Sequence, residues 1–114
     1  MSQESKMLTP MYVTTPGGYG QEHGCWDRAE FEEGKTSIQF QNGPVAVHGA
    51  NGVTDADVLK VVVDHVRALQ KVEGSRERAM VITKLDEALL WERARAEKDN
   101  TREKAVERAA GRVG

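Results

Sequence analysis

The chain has 114 residues, 16 Lys and Arg against 18 Asp and Glu, a net charge of −2 and one cysteine. That length supports one domain and does not fit a two-domain enzyme, and the charge balance excludes a dedicated binder of long nucleic acid, whose affinity grows with the phosphates it neutralises. A lone Cys25 leaves no internal disulfide framework, and neither a membrane-spanning run nor a signal-peptide core after Met1 is present, so a small protein of a reducing cytoplasm, with no membrane partner, is expected.

Composition changes near residue 53. Residues 1–53 hold eight of the 11 glycines and all three prolines, with three basic residues against six acidic; residues 54–114 hold 13 against 12. The expected fold class is α+β: a β-rich N-terminal region, 1–53, followed by an antiparallel helical hairpin with a charged tail, 54–114, together one compact domain.

In chain order, Met11-Tyr12-Val13 reads as a short strand, and Pro16-Gly17-Gly18-Tyr19-Gly20 breaks it. The stretch from Gly24 to Gly34, with Trp26 and Phe31, fits either a short helix or a strand. Ser37-Ile38-Gln39-Phe40-Gln41 is the clearest strand, since Ile38 and Phe40 share one face and the glutamines the other. Asn42-Gly43-Pro44 turns the chain, and Val45-Ala46-Val47 is expected to return as the second strand of a hairpin.

Thr54 with Asp57 three residues on signals a helix N-terminus. Val58, Leu59, Val62, Val63, Val66 and Leu69 then repeat at helical spacing, ending near Val72. Gly74 stops that helix and Ser75 caps the next, whose buried stripe is Ile82, Leu85, Ala88 and Leu89. Two helices of about 18 to 25 residues on so short a turn must run antiparallel. The tail after Asn100 either extends the second helix or forms its own. Val61, Met80, Val81 and Trp91 lie off the shared seam and call for the N-terminal sheet or another protomer, so an oligomer is expected.

Catalytic patterns are thin. His23 and Cys25 make the one closely spaced pair of metal-ligand type, with His48 and His65 elsewhere, whereas structural zinc wants four ligands. Cys25 has no neighbouring cation to activate it, and the glycines of 16–20 lack the Lys-Ser/Thr ending of a nucleotide-hydrolase loop. The expectation is no enzyme, no metal and no cofactor. Two features suit anions. Gly49-Ala50-Asn51-Gly52 precedes a helix N-terminus, where backbone N–H groups point outward, although by itself a turn needing positive φ carries most of the weight. Arg76, Arg78, Lys84, Arg93 and Arg95 are interleaved with Glu77, Asp86, Glu87 and Glu92, a pattern of solvated helix surface that also offers planar forks for phosphate, beside Trp91 as a stacking surface.

The segments Ile38 to Pro44, Gly49 to Thr54 and Thr83-Lys84-Leu85-Asp86-Glu87-Ala88-Leu89-Leu90-Trp91 together resemble phage proteins of the anti-Thoeris signal-sponge family, which share a hairpin domain with anti-CBASS sponges. The resemblance covers residues 36–95. It implies a non-enzymatic protein that sequesters cyclic ADP-ribose isomers or cyclic di- and trinucleotides in the infected bacterium's cytoplasm, as a dimer or hexamer. By the same resemblance Arg95 is the matching ligand contact and Arg78 a charged replacement for an Asn. Leu69 stands where the family has an aromatic, and Asp99 where it has a second Arg, which Arg102 replaces if the helix continues. Trp91 is expected to stack or pack, and Asn51 with Gly52 to line an inter-subunit anion pocket. The rival reading is a phage structural or protein-interaction module without a small ligand; a signal-degrading enzyme is a third.

Overall fold

The computed structural model describes residues 7–111 and divides into two units between Thr54 and Asp55, with strands confined to the first and the two long helices to the second. The class is α+β, as its composition implied.

In the first unit, β1 (Met11–Val13), β2 (Arg28–Phe31) and β3 (Thr36–Gln39) form an antiparallel sheet in the order β1-β2-β3. Tyr12 stands opposite Ala29, and Ala29 opposite Ile38, so Ala29 sits at the sheet centre and is buried. Between β1 and β2 lies α1 (Tyr19–His23), and a 3-10 turn at Glu32–Gly34 joins β2 to β3. The ambiguous stretch from 24 to 34 is thus strand and turn. After β3, Phe40 forms an isolated parallel bridge with Val53.

Val45-Ala46-Val47 is not a strand. Val45–His48 is one helical turn, α2, following Pro44 at φ −61°. The Pro44 carbonyl accepts from the N–H groups of Val47 (3.1 Å) and His48 (2.8 Å). Three alternating residues fit one turn of helix as well as a strand, and Phe40 has already taken Val53 as its partner. Gly43, at φ +84°, permits the preceding turn; a Cβ there would stand 2.3 Å from the His48 ring.

In the second unit, α3 (Asp55–Val72) starts directly after Thr54 and packs antiparallel on α4 (Arg76–Gly111). Their seam centres on Val63, fully buried, and Leu89, with Leu59, Val66, Ile82, Leu85 and Ala88 half-buried around them. The turn between the helices is clamped by one side chain. Gln70 Oε1 accepts from Ser75 N–H (3.0 Å), and its amide donates to the Ser75 carbonyl (3.1 Å). Ser75 Oγ then accepts from Arg78 N–H at 3.1 Å, the N-cap its position implied.

Of the two forms open to the tail, the structure takes the extension of the second helix. At 36 residues, α4 is twice as long as the 18-residue α3, and the tail after Asn100 extends it. At 1.5 Å per residue, its second half runs about 27 Å beyond the end of α3. Local propensity carries it there: residues 92–111 hold no proline and only Gly111 as glycine, with many Ala, Glu, Lys and Arg.

Candidate functional site

The residues with ligand-binding chemistry fall into two groups on the hairpin. At its turn end, Leu69 is partly exposed and Arg78 is half-buried. The Arg78 guanidinium donates to the Glu73 carbonyl, one of the acceptors left open where α3 ends. Arg78 therefore holds the turn as well as offering charge beside it.

The other group lies along α4. Trp91 is 74% exposed, and Arg95 follows one turn later. Arg95 pairs with Glu92 at 3.2 Å and Asp99 at 3.8 Å, both on its own helix, with its side chain 66% exposed. Surface pairs of this kind are worth about 0–1 kcal/mol and exchange readily for a better anion. Because α4 continues, Arg102 lies two turns beyond Arg95 on nearly the same face, also exposed. Arg78 and Arg95 are 17 positions apart on one helix, about 25 Å. A single hairpin does not bring the two groups together.

Asn51 and Gly52 belong to the first unit and close its last loop. Asn51 Oδ1 accepts from Asn42 N–H (2.7 Å), and its amide donates to the Asn42 carbonyl (2.9 Å). The Asn51 N–H donates to Gln41 Oε1 (3.0 Å), while the Gln41 amide reaches the carbonyls of Gly43 and Gly49. Gly52 is required by proximity: a Cβ there would stand 2.5 Å from the Phe40 carbonyl and 2.7 Å from the Gln39 oxygen. Both residues are thus engaged in holding the Phe40–Val53 bridge.

Sequence reasoning passed over the polar centre of the sheet. Asp27 is buried, 3% exposed, and its carboxylate accepts from Thr15 N–H (2.7 Å), Thr15 Oγ1 (2.5 Å) and Gln39 Nε2 (2.9 Å). The Thr15 hydroxyl holds this carboxyl below the usual range, helped by Gln39 and the Thr15 N–H, although burial pulls the other way. Beside it, Trp26 contacts Tyr12 (centroids 4.4 Å) and Phe40 (5.7 Å). No spacing rule links Thr15, Asp27 and Gln39; only pairing of the strands makes them neighbours.

The hairpin carries a second polar cluster. Arg67 on α3 pairs with Asp86 on α4 at 2.5 Å, and Asp64 lies within 4.0 Å of Arg67. Among the described residues, no group of three or more His, Cys, Asp or Glu is placed to hold a metal ion, and no helix is long and apolar enough to cross a membrane.

Residues 32–97, more than half of the chain, match the family described as "Acb2/Tad1, hairpin domain". A protein named "Thoeris anti-defense 1", from Bacillus phage SBSphiJ7, is 48% identical over 56 residues. That alignment covers 48% of this chain and 39% of the relative, well under two thirds of the relative's length.

Proposed function

Because the chain belongs to the Acb2/Tad1 hairpin-domain family, we propose that it is a phage anti-defence sponge: a non-enzymatic oligomer that sequesters a cyclic nucleotide immune signal in the cytoplasm of the infected bacterium. The observation that carries this reading is the family match across 32–97, which includes the loop before α3, all of α3 and the Trp91–Arg95 segment of α4. The likeness to a Thoeris anti-defence protein directs attention to cyclic ADP-ribose isomers, with cyclic di- and trinucleotides as the other class.

The pocket in this proposal is shared between copies. Arg95 and Trp91 of one hairpin supply phosphate pairing and a stacking wall, and Arg78 with Leu69 of a second copy closes the site; the separation of about 25 Å within one chain supports a site completed by another copy. Arg102 extends the cationic face by two turns. Asn51 and Gly52 line a separate inter-subunit anion pocket in this proposal. The assembly in this proposal is a dimer or a hexamer.

Isothermal titration of the full chain with cyclic ADP-ribose isomers and cyclic di- and trinucleotides tests the proposal. The expected result is sub-micromolar binding to at least one ligand, recovered intact by mass spectrometry after heat denaturation. No binding below the high-micromolar range sinks the sponge reading, and a cleaved product sinks the non-enzymatic one.

One observation favours the second reading, a protein-interaction module. Val61, Val72, Met80, Leu90 and Trp91 are all at least half exposed, more apolar surface than a small helical unit usually leaves in water. Under that reading, Arg95→Ala changes the oligomeric mass and no ligand response exists.

A further inference from the structure

One side of the α3/α4 hairpin carries a cavity of about 360 Å³, lined by Lys60, Arg67, Asp86, Leu89, Leu90 and Arg93. We propose that this groove is a second binding site, within one chain, for a mononucleotide bearing a terminal phosphate, such as a nucleoside diphosphate.

The sequence spacing builds the groove. Lys60 lies seven residues before Arg67 on α3, and Arg93 seven after Asp86 on α4, two turns in each case. The Arg67–Asp86 pair ties the two helices together near the turn. Antiparallel packing then sets Lys60 and Arg93 at the same level, further from the turn. Leu89, buried, forms the floor between them, and Leu90, 62% exposed, the lip.

The cations differ in their commitments. Lys60 is held by Asp64 at 2.6 Å, and Arg67 by Asp86, each with roughly half of its side chain in solvent. Arg93 makes no hydrogen bond or ion pair with any described residue. It is a planar fork beside an apolar wall, the arrangement that takes a phosphate in two parallel hydrogen bonds. Lys60 swings from its exposed partner to the same phosphate, and the Leu89–Leu90 surface takes the face of a base. The volume lies at the small end of ligand pockets, on the scale of one nucleotide.

This site is separate from the one proposed above. Arg93 and Arg95 are two residues apart on α4, so their side chains leave the helix about 200° apart. The proposal therefore stands or falls without the sponge reading.

The test is calorimetric titration of the full chain with ADP and with inorganic pyrophosphate, at low ionic strength, for wild type, Arg93→Gln, Lys60→Gln and Lys71→Gln. The expected result is ADP binding weakened at least tenfold by Arg93→Gln and by a smaller factor by Lys60→Gln. Lys71→Gln, an exposed position on α3 outside the groove, should leave it unchanged, and pyrophosphate should bind more weakly than ADP. Amide chemical shifts should move at Lys60, Leu89, Leu90 and Arg93 when ADP is added, and unperturbed circular dichroism guards against misfolded variants. Absence of ADP binding at millimolar concentration, or equal affinity of wild type and Arg93→Gln, overturns the site. Equal affinity for pyrophosphate and ADP overturns its assignment to a nucleotide. A cyclic nucleotide that still binds Arg93→Gln shows that failure here leaves the sponge reading intact.

Discussion

Replacing Asp27 with Ala removes the acceptor for three donors beside the start of the central strand: Thr15 N–H, Thr15 Oγ1 and Gln39 Nε2, at 2.7, 2.5 and 2.9 Å. Hydrogen bonds to a charged group contribute about 1.5–3 kcal/mol each, but these share one carboxylate and do not add. Water reaches the exposed Thr15 once the carboxylate is gone and recovers some of the loss. The expected destabilisation is therefore about 3 kcal/mol, more than the total from a typical surface ion pair. Urea unfolding followed by Trp26 fluorescence, in a Trp91→Phe background, reads the change where it occurs. Acid gives a second handle. The carboxyl titrates lower in the folded chain than in the unfolded one, so unfolding takes up a proton in the interval between the two values. Its contribution is complete above the ordinary value of 3.8 and is lost as pH falls through the depressed folded value. Asp27→Asn should lack that acid-dependent loss. A destabilisation by Asp27→Ala under about 1 kcal/mol, or equal acid sensitivity in wild type and Asp27→Asn, would refute the reasoning.

Gly52→Ala forces a methyl onto the Phe40 backbone and should cost about 1–3 kcal/mol, seen as a lower melting temperature and early hydrogen exchange at the Gln41 and Val53 amides. Val63→Ala should cost about 2 kcal/mol because Val63 is fully buried, whereas Trp91→Ala, with three quarters of its surface exposed, should change unfolding of the isolated chain by less than about 0.5 kcal/mol. If the nucleotide pocket is shared, Arg78→Ala and Arg95→Ala each abolish binding, and mixing the two unfolded and refolded together restores a fraction of the sites; no restoration in the refolded mixture argues against sharing.

The hairpin was legible because its signals are local. Thr54, Gly74 and Ser75 mark the ends of α3 and the start of α4, and Val63 and Leu89 repeat with their neighbours at the spacing of a helix face. Even there the tail after Asn100 was open between an extension of α4 and a helix of its own, and it extends α4, since a charged run with high helix propensity and no breaker has no reason to stop. The candidate ligand residues were legible by type. Their separation into two groups about 25 Å apart follows only once α4 is a single straight element.

Before Thr54 the balance reverses. The sequence by itself specified an α+β chain with a turn-rich first half, Met11–Val13 as strand, and the helical hairpin, all read from periodicity, caps and breakers within a few residues. Tertiary structure decided the rest: that Val45–His48 is helix, that Asn51 and Gly52 serve a bridge to Phe40, and that Asp27 lies between Thr15 and Gln39. The last two depend on partners 10 to 13 residues away, and the hydrogen bonds that reward such pairings exist only after the chain has closed on itself.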